Sequence, residues 1–286
     1  MRKQWFACTL VLVLGLCASA LASSAGSSLP ADEALNLLKE GNARYVAGQS
    51  THPHQGADRR AETVKGGQHP IATIIGCSDS REPLEIIFDQ GVGDIFVVRV
   101  AGNVAGPDEL ATVEYGVGHL GTSVVLVLGH TACGAVTAAT EGAKVHGNLP
   151  FLINQIKPAV TRVKAASPTA SGDELVTKAV KANVLLTMEN LLRKSEEVRE
   201  YVTKGKLMVV GGIYDLTTGQ VTWLGLHPDQ GKLLAAAPKA HGMMKAKHAP
   251  APAPAPAPAK ADAKDQGSMI DPAPAPEKAP KAAPAH

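Results

Sequence analysis

Aromatic side chains are scarce in this chain, with two Trp, four Tyr and four Phe among 286 residues. So little ring surface offers almost nothing for nucleobases to stack on, and a formal net charge of only +2 gives no cationic footprint for a phosphate backbone. No nucleic-acid partner is therefore expected. Cysteine is scarce as well. Cys8 and Cys17 stand in the first seventeen residues, and beyond them only Cys77 and Cys133 remain, too few for a disulfide framework. After the N-terminus no apolar run is long enough to cross a bilayer, so no membrane span is expected.

What is present begins with an export pattern. Arg2 and Lys3 precede an apolar run over 5–16, and small residues follow at Ala18, Ser19, Ala20 and Ala22. This three-part order reads as a secretory signal over residues 1–22, cleaved after Ala22 or alternatively after Ala20. A lipoprotein reading through Cys17 is weakened by bulky Leu16 just before it. The mature chain is expected to be exported, to a bacterial periplasm. At the other end, eleven of the twenty prolines lie after residue 237, mostly alternating with alanine. Proline removes an amide donor and fixes φ, so 239–286 reads as a disordered Ala/Pro-rich tail.

Between them, 29–238 reads as one α/β domain. Runs at 71–76, 94–100, 123–129 and 207–214 are rich in Val, Ile and Leu without alternation, the pattern of strands buried on both faces. A run at 221–224 after Thr217-Thr218-Gly219 predicts an antiparallel edge strand. Helical patterns over 32–47, 108–119, 151–165, 173–192 and 195–203 complete a central, mostly parallel sheet covered by helices.

The chemistry concentrates in two motifs, each directly after a predicted strand, where ligands gather in such folds. Cys77-Ser78-Asp79-Ser80-Arg81 follows the first, and His130-Thr131-Ala132-Cys133-Gly134 follows the third. The i, i+3 spacing of His130 and Cys133 predicts one face of a helical turn. If the two strands are neighbours, two thiolates and an imidazole converge as three ligands for Zn²⁺, leaving a fourth position open. Singly, each has an ordinary reading: a buried Cys is usually a small hydrophobe, and Asp79 with Arg81 makes a common salt bridge or cap. Cys77 and Cys133 also allow a single disulfide in an oxidising compartment. Jointly, Asp79 reads as an acceptor beside the metal, and Arg81 as the cation keeping it ionised.

These motifs resemble those of the β-class carbonic anhydrases. So do Phe88-Asp89-Gln90-Gly91-Val92-Gly93-Asp94, the segment from Phe96 to Asn103, Gly212-Ile213-Tyr214-Asp215 and the end of the first helix, Lys39 to Tyr45. The resemblance implies reversible hydration of CO2 to bicarbonate and a proton, at zinc held by Cys77, His130 and Cys133. In that scheme zinc-bound hydroxide attacks CO2, oriented by the Asp79–Arg81 dyad. It further implies a pocket at a dimer interface lined by Gln68, Phe96 and Tyr115, and hence a homodimer or higher oligomer. Two departures are noted. Ala101 replaces a valine of some relatives, and Ile74 stands where a bicarbonate-regulated subgroup carries tryptophan, so no such regulatory site is expected. In that subgroup the counterpart of Asp79 closes onto the metal; here a pH-driven swing of Asp79 onto the metal, as fourth ligand of a closed state, stays open. Competing readings are a relative acting on carbonyl sulfide or carbon disulfide, a zinc-binding envelope scaffold, and a dithiol redox protein.

Overall fold

The computed structural model describes residues 29–236; the expected signal segment and the Ala/Pro-rich tail lie outside the described residues. Five strands form one sheet: β1 (Ala72–Gly76), β2 (Ile95–Arg99), β3 (Val124–His130), β4 (Met208–Tyr214) and β5 (Val221–Leu226). Their order is β2-β1-β3-β4-β5, with every pairing parallel except the antiparallel β4–β5 edge. The helices are α1 (Ala31–Val46), α2 (Ala57–Gly66), α3 (Leu84–Ile87), α4 (Pro107–Glu114), α5 (Gly134–Glu141), α6 (Leu149–Ala166), α7 (Gly172–Lys194), α8 (Glu196–Thr203) and α9 (Gln230–Ala236). None among the described residues is long and apolar enough to cross a membrane.

The unbroken apolar strands have the cause expected for a parallel sheet: helices cover both faces. All residues of β1 and β3 are buried. Successive side chains then divide between two cores. Ile75, Val125, Val127 and Val209 pack with Val184, Met188 and Leu191 of α7, while Ile74, Leu126, Leu128 and Val210 pack with Leu38 of α1 and Leu84 of α3. The α1 core admits one close approach. A Cβ on Gly41 would stand 1.8 Å from the Phe88 carbonyl oxygen, so only glycine lets α1 seat there.

Several boundaries differ from the sequence reading. The helix expected over 108–119 is α-helical only to Glu114, and Tyr115–His119 widens into a π-helical turn. Gly116 lies there, where an added Cβ would come within 2.3 Å of Thr73 Oγ1. Helices α2, α3, α5 and α9 were not anticipated. The first has no buried residue and so no apolar stripe to read.

Candidate metal centre

The adjacency of β1 and β3 decides the site. Cys77 leaves the C-terminal end of β1, His130 closes β3, and the parallel register pairs Ile75 with Val127, so both strands deliver their ends to one place. Cys133 is not on a helical turn with His130, as its spacing suggested. It is the N-cap of α5, reached through Thr131 and an Ala132 in the left-handed region at φ 53°. That conformation costs a non-glycine residue on the order of 1 kcal/mol, and the turn it makes folds Cys133 back toward His130. The two Sγ atoms and an imidazole nitrogen all lie within 4.8 Å of one another, and all three residues are buried.

The donor set fits a metal. His130 Nδ1 lies 2.9 Å from the Thr131 carbonyl oxygen, which can only accept, so Nδ1 carries the proton and Nε2 presents its lone pair. Nε2 is buried and has no hydrogen-bond partner. Such a nitrogen facing two sulfurs lacks a Lewis acid, which a divalent cation supplies. One of the two thiols is already biased toward thiolate chemistry. A hydrogen bond from Cys133 favours the Cys77 thiolate against its burial, helped by the Gly102 amide, 3.2 Å from Sγ. That thiolate and burial in turn push the Cys133 thiol up. The pair thus shares a proton where Zn²⁺ would take its place. Gly102 presents its amide from φ 74°, and a Cβ there would press on Ile156 at 2.7 Å.

Asp79 and Arg81 face one another in a forked pair. Arg81 Nε donates to Asp79 Oδ1 at 2.9 Å and Nη2 to Oδ2 at 2.8 Å, while the Arg81 amide adds a bond of 3.0 Å to Oδ1. The Arg81 guanidinium holds the Asp79 carboxyl well below the usual carboxylate range, and Oδ2 stands 3.9 Å from His130 Nε2. A carboxylate so held accepts protons only as hydrogen bonds.

Two more residues shape the site without having been singled out in the sequence. Arg99, at the end of β2, donates through Nε to the Cys77 carbonyl (2.8 Å) and through Nη2 to the Asp79 carbonyl (2.6 Å). Its signal was a lone cation ending an apolar strand. Glu82 is fully buried; Oε2 accepts the Cys77 amide hydrogen at 3.1 Å and lies 4.0 Å from His130 Nε2, while Oε1 has no partner. Burial pushes its carboxyl up to about 8. Its position in a polar turn gave no signal of burial.

Gln68, Phe96 and Tyr115 lie elsewhere. Phe96 is in register with Thr73, four residues before Cys77, which is about 13 Å down the strand. Its ring meets that of Tyr115 at 5.9 Å, and Tyr115 stacks on His119 at 5.0 Å while remaining half exposed. Gln68 is exposed ahead of β1. One chain therefore does not bring these three to the metal ligands.

Comparison with known proteins gives one answer. A family model described as carbonic anhydrase matches residues 72–221. Carbonic anhydrase 2 of Mycobacterium tuberculosis H37Rv is 41% identical over 189 residues, covering 65% of this chain and 89% of the relative. Carbonic anhydrase of Mycolicibacterium smegmatis is 38% identical over 192 residues, covering 66% and 90%. Among solved structures, a β-carbonic anhydrase of Aspergillus fumigatus superposes with a TM-score of 0.56 at 32% identity, covering 72% of this chain and 95% of that one. A tetrameric β-carbonic anhydrase of Sordaria macrospora gives 0.55 at 28%, covering 68% and 98%.

Proposed function

The chain belongs to the β-class carbonic anhydrases, zinc-dependent lyases that hydrate CO2, and on that premise we propose that Cys77, His130 and Cys133 hold the zinc and that Asp79 with Arg81 orients the attack on CO2. The observation that carries this reading is the buried, unpartnered His130 Nε2 beside two sulfurs, with a carboxylate oxygen 3.9 Å away. Held by Cys77, His130 and Cys133, a zinc ion would supply the Lewis acidity that makes water a nucleophile near neutral pH.

The residues supply the rest. Two thiolates offset the formal charge of a divalent ion and leave water less acidified than an all-histidine set would. An acceptor near the open position compensates, and Asp79 is one: Arg81 occupies it from the side, keeps it ionised and limits its rotation. Accepting the hydrogen bond of the attacking oxygen, Asp79 turns that oxygen's lone pair toward the carbon of CO2. Arg99 holds the peptides of Cys77 and Asp79 together, so ligand and acceptor keep their relative place.

The substrate wall is assigned to a second copy. Gln68 and Tyr115 are exposed at the end of the sheet remote from their own ligands, so a partner must bring them over the metal. There Gln68 donates to a substrate oxygen, and Phe96 and Tyr115 give CO2 an apolar surface. The active unit is thus at least a homodimer, in keeping with the tetrameric Sordaria relative. The N-terminal pattern of residues 1–22 supports export of the mature enzyme.

Stopped-flow CO2 hydration by the chain from Ser23, with zinc content measured, tests the assignment across roughly pH 6.5 to 9, where water at such sites titrates. Zinc-dependent turnover rising with pH is expected. Cys77→Ser and His130→Ala should lose zinc and turnover together; a zinc-replete enzyme without turnover, or a variant keeping both, refutes it.

A further inference from the structure

The amide that faces the Cys77 sulfur belongs to a tightly wound stretch of chain. Gly102 donates to Cys77 Sγ at 3.2 Å from φ 74°, and Asn103 follows it in the left-handed region at φ 43°. Glycine and asparagine tolerate that region, but normally one at a time, so two in succession need neighbours that hold them. The turn ties itself by one bond, from the Asn103 amide to the Val100 carbonyl at 3.0 Å. Two further bonds come from helix α7.

Asn183 and Thr187 lie one turn apart on α7, both buried in a stripe with Val180, Val184 and Met188. Asn183 Nδ2 donates to the Gly102 carbonyl at 2.7 Å, and Thr187 Oγ1 donates to the Asn103 carbonyl at 3.0 Å. The two contacts are not equivalent. The Gly102 carbonyl belongs to the peptide whose N–H already bonds Val100. Asn183 therefore pins that peptide at its second end, directly beside the residue whose amide faces the sulfur. Thr187 acts one peptide further out. Asn183 also keeps its place at a cost, because its Oδ1 is buried without a partner. An unpaired buried acceptor destabilises a fold, and an apolar side chain of similar size would avoid that. What Asn183 adds is one directed hydrogen bond.

We propose that Asn183 is a positioning residue of the metal centre: by holding the Gly102–Asn103 peptide it keeps the Gly102 amide on Cys77 Sγ, where that bond moderates the sulfur's electron donation to the metal. The proposal rests on the zinc reading above and deepens it. Partners that orient a metal ligand commonly contribute ten- to a hundredfold to metal affinity. Asn183 works through an intervening residue, so about tenfold is expected.

The test uses the chain from Ser23 loaded with cobalt or zinc, beside Asn183→Leu, which is near in size and has no donor. The thiolate-to-cobalt charge-transfer band of the parent reports first whether metal sits on the cysteines. Its absence refutes the zinc reading itself and this proposal with it. With the band present, Asn183→Leu should move it to longer wavelength, because a thiolate relieved of its amide bond gives up charge more readily. Zinc binding, read by competition with a chromophoric chelator, should weaken about tenfold. Thr187→Val removes the neighbouring bond as a control; it should lower the urea midpoint and leave the band in place. Asn183→Ala, which cannot overfill the space, repeats the measurement if leucine prevents folding. An unmoved band in a folded Asn183 variant overturns the proposal, whatever becomes of the affinity. An equal shift in Thr187→Val overturns it too, since a generally loosened turn then explains both. Loss of folding in both Asn183 variants assigns the residue to the fold and overturns its role at the metal.

Discussion

Replacing Arg99 with methionine keeps an apolar stem of similar length and removes every donor. The side chain makes two bonds, to the carbonyls of Cys77 and Asp79. Hydrogen bonds from a charged donor contribute about 1.5–3 kcal/mol each when sheltered. Here Arg99 is exposed and only the bond to Cys77 is part-buried, so about 2 kcal/mol for both together is a fair figure. The Asp79 carbonyl keeps the amide of Glu82 as a second donor, which places most of the loss at Cys77. If the loosened segment must be reordered whenever metal binds, that cost appears in affinity, and about 2 kcal/mol is about thirtyfold. Competition against a chromophoric zinc chelator measures it directly. Arg99→Lys, with one compact donor able to satisfy a single carbonyl, should fall in between. Urea unfolding of the metal-free proteins separates a loose segment from a damaged fold. Zinc affinity in Arg99→Met within about threefold of wild type, with the metal-free stability unchanged, would refute the idea that β2 holds the ligand loop.

Three further outcomes are expected. Asp79→Asn should retain zinc and lose turnover by about 10²-fold or more, as for removal of a positioned proton acceptor; stopped-flow on zinc-replete protein decides, and unchanged turnover would make the Asp79–Arg81 pair structural. Asp89 is buried, and although burial alone would raise its carboxyl, the amides of Thr51 and His52 and the Arg44 guanidinium hold it well below the usual carboxylate range. A folded pKa below the unfolded one means its stabilisation is complete above about pH 4–5 and is lost as pH falls toward the lower folded value. Asp89→Asn should therefore cost about 2–3 kcal/mol at neutral pH and flatten the acid limb of urea stability; an unchanged acid limb contradicts this. Gly41→Ala should destabilise by at least about 2 kcal/mol, since its Cβ would overlap the Phe88 carbonyl; a thermal melt within a degree of wild type would show that α1 can shift.

Much of the architecture was legible because burial on both faces writes itself as unbroken Val, Ile and Leu, and β1, β3 and β4 fall within a residue of the runs read for them. Helix α8 was legible for a local reason: Ser195 caps it by accepting the Val198 amide. Helix α5 was not, because its eight residues are short and their apolar members are mostly alanine. The convergence of Cys77 with His130 was conditional on strand adjacency, a fact of topology that neither motif contains. Glu82 and Arg99 escaped notice because both act on main-chain atoms of Cys77 and Asp79, and a sequence shows side-chain chemistry far better than it shows which backbone groups need partners. The separation of Phe96 from the ligands likewise became visible only once the register was known.

That register has a practical consequence. Thr73, Ile74 and Ile75 pair with Val125, Leu126 and Val127, and a slip of one residue would carry Cys77 about 3.3 Å past His130 and turn its sulfur to the opposite face. A mis-registered chain could still bury a greasy sheet and run as a protein of the right mass, but it would have no three-point grip on an ion. Zinc stoichiometry in refolded or heterologously expressed material is therefore a ruler laid across two strands. A shortfall below one ion per chain, in metal-saturated buffer, counts the molecules whose sheet was assembled out of step.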